Sequence, residues 1–305
     1  MLNENVVIGI PTFKRPLQLE RLLTSLAKQE IDLRFTIIVA DNEGLSGAGL
    51  LRASEMSSSY PYDIICLPVE ARGISNVRNA IMTKAFAELD ADLLAMVDDD
   101  EVVDKHWLKE LLLAHQKSGA EIIGGAIIPE FESPPPEWTK LCPLYFRKIR
   151  EEGEVQLIQA AGNILLSKNA FIKSGSLLFS EEFGLTGGED KEFFLRLKDL
   201  GCRFYFAPKA VSYEFYGNER VSINWAIERS YRIGSNDVRI ILSRNCNVLL
   251  RLNFFIQSLV SLLFFSASYL VALTRRKNEF LVRLKVHRQL GKLSAFLGKS
   301  ENFYK

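Results

Sequence analysis

Residues 93–107 read LLAMVDDDEVVDKHW, in which five apolar residues run directly into three aspartates and a glutamate. A short apolar run that ends in polar residues is typical of a strand buried on both faces of a sheet. In open α/β sheets, ligands bind beyond the carboxyl ends of the strands, which is where these four carboxylates fall. The stretch therefore predicts a buried strand with a candidate site at its end.

The same strand signal recurs along the chain and alternates with helical patterns. Strands are predicted within NVVIGIPTF (5–13), RFTIIVADN (34–42), YDIICLPV (62–69) and AEIIGGAIIP (120–129). Helices are predicted within RPLQLERLLTSLAKQ (15–29), GISNVRNAIMTKAFAEL (73–89) and VDKHWLKELLLAHQKSG (103–119). Nearly continuous apolar strands that alternate with helices indicate a mostly parallel sheet covered by helices on both faces.

The pattern changes after residue 129. Residues 130–155 contain three consecutive prolines and little periodicity, so we predict an irregular excursion there. Residues 156–171 predict a strand and a short helix, and residues 185–208 predict a glycine-rich loop, a helix and a last strand. We assign residues 1–235 to this α/β domain and residues 236–305 to a C-terminal helical region.

The composition is that of a globular protein: 305 residues, 48% hydrophobic and 25% charged. The four cysteines lie far apart without C-x-x-C spacing, and the three histidines form no ligand cluster with them. These features predict a reduced, cytosolic-facing protein without zinc. The N-terminus lacks a basic region followed by a long apolar run, so we expect no secretory signal. Nucleic acid is not among the partners that we expect.

Residues 254–273, FFIQSLVSLLFFSASYLVAL, are uncharged and of the length that crosses a bilayer, which is about 20 residues. Residues 275–305 carry nine Lys or Arg against two Glu, a net charge of +7, and further arginines precede the apolar segment. A simple span would place one basic cluster on the non-cytoplasmic side, against the positive-inside tendency. We favour a segment that lies in or dips into the cytoplasmic leaflet, with a single span or a buried helix as alternatives.

Polar side chains at the ends of the first two strands fall on the rim that carries the acidic cluster. The first strand and its turn supply Pro11, Thr12, Lys14 and Arg15, the second supplies Asp41 and Asn42, and the segment ARGISNVRNA supplies Arg72, Gly73, Asn76 and Arg78. Such a rim suits a nucleotide diphosphate, because a carboxylate or amide can bond base or ribose and Arg15 can face phosphate. Taken alone, Asn76 and Arg78 are more often helix-surface residues.

The acidic cluster itself suits a hard cation. Strand alternation predicts that Asp98 and Asp100 share one direction and that Asp99 takes the other, while Asp99 and Glu101 receive no role. Two carboxylates on one side, with water or a substrate phosphate, suit Mg²⁺ or Mn²⁺. The alternative is a solvated acidic turn that caps the next helix, with Asp104 as its N-cap.

A dinucleotide-binding fingerprint is also possible in GLSGAGLLR (44–52). Its Gly47 and Gly49 have the spacing of the first two glycines, but Arg52 stands where a third glycine is expected. The match is weak, and we predict a loop there.

Six segments occur in an order that resembles family 2 glycosyltransferases of the GT-A, or nucleotide-diphospho-sugar transferase, fold. They are IGIPTFKRPLQLERLLTSL (8–26), IIVADN (37–42), ARGISNVRNAIM (71–82), LLAMVDDDEVVDKHWLKEL (93–111), AGNILLSKNAF (161–171) and GGEDKEFFLRLKDLGCRFYFAPKAVSYE (187–214). Within that family the chain resembles bacterial exopolysaccharide glucosyltransferases that act on lipid-linked oligosaccharides. The resemblance spans about residues 5–235 and implies a Rossmann-like mixed, mostly parallel sheet with helices on both faces.

The resemblance also implies a reaction centre. It makes Asp98 face the sugar nucleotide, Asp100 the surer metal ligand and Asp190 the catalytic base. The chemistry agrees, since an acceptor hydroxyl needs a carboxylate to take its proton as it attacks the anomeric carbon, while a cation offsets charge on the departing diphosphate. Glu189 and Asp190 could instead form a helix N-cap.

Acceptor contacts are expected at several further positions. The resemblance places Gly162 and Asn163 beside sugar or acceptor, and Gly188 with Glu189 in the loop before the base. On the segment NWAIERSYRIG, Trp225, Arg229 and Arg232 are candidates, and the two arginines share one helix face. They could bind a lipid diphosphate, or only membrane head groups and surface carboxylates.

These observations predict an inverting, metal-dependent glycosyltransferase at the cytoplasmic face of the plasma membrane. It would move one hexose, with UDP-glucose as the expected donor, to a lipid-linked glycan of exopolysaccharide synthesis. The absence of a Q-x-x-R-W segment favours single addition over processive synthesis. Two alternatives remain: a catalytically silent sugar-nucleotide-binding scaffold, and a sugar-phosphate nucleotidyltransferase.

Overall fold

The computed structural model describes residues 4–158, 160–175, 178–244, 247–275 and 279–298. The chain forms two compact units. Unit 1 comprises Met1–Glu130, Ile149–Leu185 and Glu189–Phe215, and unit 2 comprises Phe131–Lys148, Thr186–Gly188 and Tyr216–Lys305. The predicted boundary between residues 235 and 236 does not coincide with this division. It falls inside a helix that runs without a break from Ile223 to Arg244.

A single mixed sheet is the framework of unit 1. Its strands in the described ranges are β1 (Val6–Thr12), β2 (Phe35–Asp41), β3 (Asp63–Pro68), β4 (Leu93–Val97), β5 (Glu101–Val103), β6 (Ile122–Phe131), β7 (Gly153–Val155), β8 (Asn163–Ser167) and β9 (Phe204–Tyr216). Their spatial order is β3-β2-β1-β4-β8-β6-β9-β5, with β7 beside β9. Strands β1 to β4 pair in parallel, and β8 runs antiparallel to β4 and β6. The predicted mixed α/β sheet is confirmed.

Helices cover both faces of this sheet because its strands are apolar at nearly every position. The helices of unit 1 are α1 (Pro16–Leu26), α2 (Ala48–Ser57), α3 (Ile74–Thr83), α4 (Trp107–Ser118), α5 (Lys168–Lys173) and α6 (Glu189–Asp199). In β1, Val6 and Ile8 pack in one buried cluster with leucines of α1 and α4. Val7, between them, packs on the other face with α3 and α6. Alternate residues of one strand thus fill two cores.

Helix α2 occupies the segment that we expected to be a loop. A short 3₁₀ turn at Gly44–Ser46 precedes it, and the helix begins at Ala48. The carboxylate of Asp41, at the end of β2, accepts hydrogen bonds from the backbone N–H groups of Glu43 at 2.9 Å and Leu50 at 3.2 Å. A Cβ at Gly47 or Gly49 would overlap this carboxyl group. The glycines therefore let a buried carboxylate cap the start of a helix.

Among the described residues, unit 2 contains most of the proline-containing segment and three long helices. Of the excursion predicted at residues 130–155, residues 132–152 are irregular apart from a 3₁₀ turn at Glu137–Leu141, whereas the ends of the segment belong to β6 and β7. The helices are α7 (Ile223–Arg244), α8 (Val248–Arg275) and α9 (Glu279–Phe296). Residues 248–274 of α8 are long and apolar enough to cross a bilayer, and only 6% of their most apolar stretch is buried. The alternative of a buried core helix is therefore not supported.

Candidate active site

The ends of β1 and β4 lie together at one edge of the parallel strands, since both strands are neighbours in the sheet. Thr12 Oγ1 donates to Asp99 Oδ2 at 2.8 Å. Arg15 Nη1 donates to Asp99 Oδ1 and to Asp100 Oδ2, each at 3.0 Å. Asp99, for which no role was predicted, is thus the buried carboxylate that connects the ends of β1 and β4.

The expected alternation of the three aspartates is wrong. Strand β4 ends at Val97, and Asp98–Asp100 form a turn, so the two-residue period of a strand does not extend to them. Asp98 pairs with Arg78, whereas Asp99 and Asp100 share Arg15. Burial raises the pKa of Asp99 to about 7, against the opposing charge of Arg15.

Arg78 links the end of β4 to the start of α6. Its Nη2 donates to Asp98 Oδ1 at 3.0 Å, and its Nη1 donates to Glu189 Oε1 at 2.6 Å. The side chains of Arg78 and Glu189 are 5% and 7% exposed, so the interpretation of Arg78 as a helix-surface residue is excluded. Because one guanidinium bridges both carboxylates, two segments that lie about 90 residues apart in the chain meet at a single point.

Glu189 and Asp190 lie in the first turn of α6 but differ in their surroundings. Burial and the neighbouring charge of Asp190 raise the pKa of Glu189 to about 7, and Arg78 opposes this. Asp190 is half-buried, and its Oδ1 accepts a hydrogen bond from the N–H of Lys191 at 2.7 Å. Both carboxylates lie inside the helix, which begins at Glu189, rather than at an N-cap position before it. The side chain of Glu189 is buried against Arg78, and its acceptor contact stays a prediction.

Gly162 lies against the acidic cluster, and its place beside sugar or acceptor stays a prediction. A Cβ at this position would stand 2.5 Å from Glu101 Oε1 and 2.8 Å from Asp98 Oδ2. Glu101 is buried, and burial together with the charges of Asp98 and Glu214 raises its pKa well above the usual range. Glycine at 162 therefore leaves the space that these two carboxylates occupy.

Asp41 and Asn42 make hydrogen bonds within the protein, and their donor contacts stay predictions. Asp41 is fully buried, burial raises its pKa, and its oxygens cap the segment at Glu43 and Leu50. The Asn42 side chain donates to the carbonyl oxygens of Val69 at 3.2 Å and Ala71 at 2.7 Å. Its oxygen accepts the N–H of Gly73 at 2.8 Å. Both side chains shape the loops at the strand ends because their polar atoms are already bonded within the protein.

The remaining donor candidates lie on or near the first strand and α3. Arg72 is exposed, its guanidinium lies 4.1 Å from the ring centre of Phe13, and its Nη1 donates to the Asn42 carbonyl at 3.3 Å. Asn76 is half-buried and donates to the Arg72 carbonyl at 3.0 Å. Pro11 is buried within β1. Sequence reasoning missed Phe13, whose place between Thr12 and Lys14 was the available signal.

Asn163 is held in place by hydrogen bonds within the protein. Its Oδ1 accepts a hydrogen bond from Trp107 Nε1 at 2.8 Å. Its amide nitrogen donates to the carbonyls of Ala126 and Ala210 and to Ser212 Oγ, each at 3.0 Å. The residue is 2% exposed. These bonds satisfy the buried side chain within the protein, and an acceptor contact of Asn163 stays a prediction.

Unit 2 holds the other acceptor candidates. Gly188 has a φ of +93°, a conformation that glycine adopts readily and other residues rarely do. On α7, the ring of Trp225 stacks on Tyr145 with 5.5 Å between centres. Arg229 and Arg232 are half-buried on the same helix. Their role stays a prediction.

The carboxylates of Asp98 and Asp100 are suitable ligands for a divalent cation. Both are hard oxygen ligands, and their side chains are 35% and 15% exposed. In the described part of the chain no group of three or more His, Cys, Asp or Glu is arranged to hold a metal ion. Two carboxylates fit Mg²⁺, which is commonly bound by one or two carboxylates completed by substrate phosphates and water.

A relative of known role covers nearly the whole chain. The succinoglycan biosynthesis protein ExoM of Rhizobium meliloti (strain 1021) is 28% identical over 301 residues, which are 97% of this chain and 94% of ExoM.

Solved structures of TarS from S. aureus share the fold. The TarS chain superposes with a TM-score of 0.56 at 14% identity, over 95% of this chain and 55% of that chain. TarS 1-349 in complex with UDP-GlcNAc superposes with a TM-score of 0.54 at 15% identity, over 99% of this chain and 97% of that chain. This chain thus spans about half the length of the larger TarS chain and nearly all of the shorter one. The predicted GT-A fold is confirmed.

The family itself follows from the sequence. A sequence model described as "Glycosyl transferase family 2" matches residues 7–175, which is more than half of the chain. This range includes all of β1 except Val6, the acidic turn after β4, Arg78 and Gly162. The chain therefore belongs to glycosyl transferase family 2 and is a glycosyltransferase.

Proposed function

We propose that this glycosyltransferase transfers one hexose, with inversion, from a nucleotide-diphosphate sugar to a lipid-linked glycan. The expected donor is UDP-glucose. The observation that carries the proposal is the Arg78 bridge, because it joins Asp98 at the end of β4 to Glu189 beside Asp190. This contact supports the proposal that Asp98 and Asp190 act on the same substrate.

Asp190 is the proposed catalytic base. It is half-buried in the first turn of α6, whereas Glu189 is buried and held by Arg78. The two neighbours therefore have different proposed roles. Glu189 holds Arg78 in place, and Asp190 takes the proton of the acceptor hydroxyl as the hydroxyl oxygen attacks the anomeric carbon. Attack from the face opposite the diphosphate would convert an α-linked donor into a β-glycoside.

Asp98 and Asp100 are the proposed ligands of Mg²⁺ or Mn²⁺. When bound, the cation would stabilise negative charge on the departing diphosphate. Arg15, anchored by Asp99 and Asp100, supplies a fixed positive charge at the same strand ends. Exposed Arg72, on the ring of Phe13, is proposed to contact the nucleotide.

The nature of donor and acceptor is supported by the relatives. ExoM is named for succinoglycan biosynthesis, and TarS 1-349 was solved in complex with UDP-GlcNAc. The apolar α8 and the basic residues after it support action at the cytoplasmic face of the plasma membrane, where Arg229 and Arg232 of α7 would meet the lipid diphosphate.

A transfer assay tests the proposal. Purified full-length protein is incubated with radiolabelled UDP-glucose, UDP-galactose or UDP-GlcNAc and a lipid-linked oligosaccharide extract, with Mn²⁺, with Mg²⁺ or with chelator. Labelled lipid product is expected from UDP-glucose with either cation, and its loss is expected with chelator. Asp190→Asn is expected to lower kcat by about 10²- to 10⁴-fold, as for removal of a general base.

Asp199→Asn is the matched control, because Asp199 is an exposed aspartate on the same helix and its replacement should leave transfer unchanged. Undiminished transfer by the Asp190 variant would refute the assigned base. Absence of transfer by the wild type with every donor would refute the proposed reaction, and chelator-resistant transfer would refute the metal dependence.

A further inference from the structure

Helix α8 presents a continuous apolar stripe to its surroundings. Side chains exposed by 49% or more recur at helical spacing and include Leu249, Leu252, Ile256, Val260, Leu263 and Leu270. Two of the serines in this segment are bonded within the helix, since Ser258 and Ser268 donate to the carbonyls of Phe254 and Phe264, each at 2.8 Å. Large contiguous apolar surfaces mark interaction sites.

Helix α9 runs antiparallel along α8. Near the end of α8, Tyr269 donates to Glu279 Oε1 at 3.3 Å. One helical turn earlier, Lys285 Nζ lies 5.4 Å from the ring centre of Phe265. At the start of α8, the ring of Phe255 meets that of Phe296 at 5.3 Å. The two helices thus form a hairpin, here called the α8–α9 hairpin.

Helix α9 is also packed tightly on α7. A Cβ at Gly234 would overlap the carbonyl oxygen of Arg288, and a Cβ at Gly291 would overlap that of Tyr231, so the two backbones are in contact. Arg288 Nη2 pairs with Asp237 Oδ2 at 2.8 Å. Because α9 contacts α7 and α8 at once, α8 cannot leave the hairpin without breaking these contacts.

The charges of α9 conflict with a span by α8. Arg283, Lys285, Arg288 and Lys292 lie along α9, and Lys285 lies on Phe265 in the middle of the apolar stretch. If α8 crossed the bilayer, these cations would enter the hydrocarbon with it, which is costly for ionised side chains. A hairpin parallel to the bilayer surface instead places apolar side chains in the acyl region and cations at the phosphates.

We propose that the α8–α9 hairpin docks lengthwise on an anionic lipid bilayer, with both helices parallel to its surface and neither crossing it. The occupant of the apolar stripe is the bilayer because one hairpin carries both the exposed leucines of α8 and cations such as Lys285 of α9, and an anionic interface accepts both kinds of side chain. The inference rests on the membrane association in the proposed function and specifies its geometry.

Vesicle binding by the full chain tests the occupant. Vesicles of phosphatidylcholine with phosphatidylglycerol are compared with vesicles of phosphatidylcholine alone in a flotation assay. Binding to the anionic vesicles is expected to be at least about tenfold tighter and to weaken with salt, since several cations face the phosphates. Lys285→Gln should weaken it about threefold, while Lys28→Gln, at an exposed lysine of unit 1, should leave it unchanged.

Depth measurements test the geometry. A tryptophan is introduced at Leu249, Leu263 or Leu270, and its quenching is measured in vesicles brominated near the head groups or near the acyl-chain ends, with the wild-type signal subtracted. The parallel hairpin predicts equal, shallow depths at all three positions. If the tryptophan at position 263 is the deepest, α8 spans the bilayer. If the tryptophan at position 270 is the deepest, α8 dips into the bilayer. Either result overturns the proposed geometry but leaves membrane association intact.

Failure to bind any vesicle overturns both the geometry and the proposed membrane association. If a non-binding chain also sediments as a concentration-dependent dimer that Leu263→Ser dissociates, the stripe is an interface between copies of the chain. The transfer assay with a detergent-dispersed acceptor is independent of these outcomes, so the proposed reaction stands or falls separately.

Discussion

In unit 1, Arg78, Asp99 and Glu189 are charged or titratable side chains with almost no exposure, whereas in unit 2 leucines such as Leu249 and Leu263 are among the most exposed side chains. Each unit departs from the usual distribution of residues, in which charge is exposed and apolar surface is buried. Both departures cost free energy, but the partner that offsets the cost differs. Buried charge requires a partner within the protein, and exposed apolar surface requires a partner outside it.

The difference teaches where to look for function in each unit. In unit 1 the buried charges are joined through Arg15 and Arg78, so the function lies in what that network holds in place. In unit 2 the apolar stripe of α8 has no cover within the described residues, so the function lies in what binds it. Four predictions test this contrast.

The largest effect is expected from Arg78→Gln. The substitution leaves Glu189 buried without its cation, and breaking a buried pair in this way costs about 3–5 kcal/mol. Urea unfolding at pH 8 measures the change. Arg52→Gln, which removes the partner of surface residues Glu20 and Glu55, is the control and should cost far less, because exposed ion pairs contribute little to stability. Equal losses in the two variants would show that burial of Arg78 does not matter.

A pH dependence is the next effect in size. Glu189 has a pKa of about 7 in the folded protein, above the ordinary carboxyl value, so the folded state binds the extra proton between about pH 4.5 and 7. Stability from this group is therefore present below that range and is lost as pH rises through 7, by on the order of 2 kcal/mol.

Glu189→Gln removes this contribution. When the pH is raised from 5 to 8, the free energy of unfolding should therefore fall more for the wild type than for the variant. Asp99, whose pKa is also raised to about 7, titrates in both proteins and cancels from the difference. A difference between the two proteins that does not change with pH would contradict the assignment.

Gly162→Ala should affect catalysis more than folding. Its Cβ would stand 2.5 Å from Glu101 Oε1 and 2.8 Å from Asp98 Oδ2, so a carboxylate of the active site must shift. We expect kcat/KM to fall about tenfold, equivalent to about 1.4 kcal/mol. In the control Gly217→Ala, the Cβ meets only the end of the flexible Glu219 side chain. If Gly162→Ala has the kcat/KM of the wild type, the reaction tolerates a displacement of Asp98.

The smallest effect is expected on the exposed stripe. Leu263→Ser removes one 65% exposed leucine and should weaken binding to anionic vesicles by about 1 kcal/mol, or roughly fivefold. Leu51→Ser, at a 59% exposed leucine of unit 1, should leave binding unchanged. Flotation of the three proteins measures the difference, and equal binding by all three would argue against the stripe as the bilayer contact.

Much of the fold was predictable because it depends on local periodicity. The strands β1 to β4, the helices α1, α3 and α4, and the apolar segment of α8 follow from runs and spacings within a few residues. Helix α2 did not, because its start depends on the carboxylate of Asp41 and on glycines that make room for it. A tertiary contact therefore decided a local structure.

The site was predictable as a set of segments, but the partner of each side chain was not. Strand alternation failed at Asp98 because β4 ends one residue earlier, and the partners Arg78 and Arg15 then set the direction of each carboxylate. Asn163 bonds with residues 37 to 56 positions away, which no local pattern reveals. Glu189 and Asp190 are adjacent in the sequence, and no local pattern distinguishes their roles. Their burial does, because Glu189 is buried against Arg78 whereas Asp190, the candidate base, is half-buried.

The central claim is that Arg78 and Glu189 act as one buried pair that joins the end of β4 to α6. A double-mutant cycle of Arg78→Gln and Glu189→Gln, measured by urea unfolding and by kcat at pH 8, tests it most directly. The account predicts a coupling of at least about 2 kcal/mol in unfolding and non-additive losses of kcat, since either single change already breaks the link. Effects that add within about 0.5 kcal/mol would contradict it.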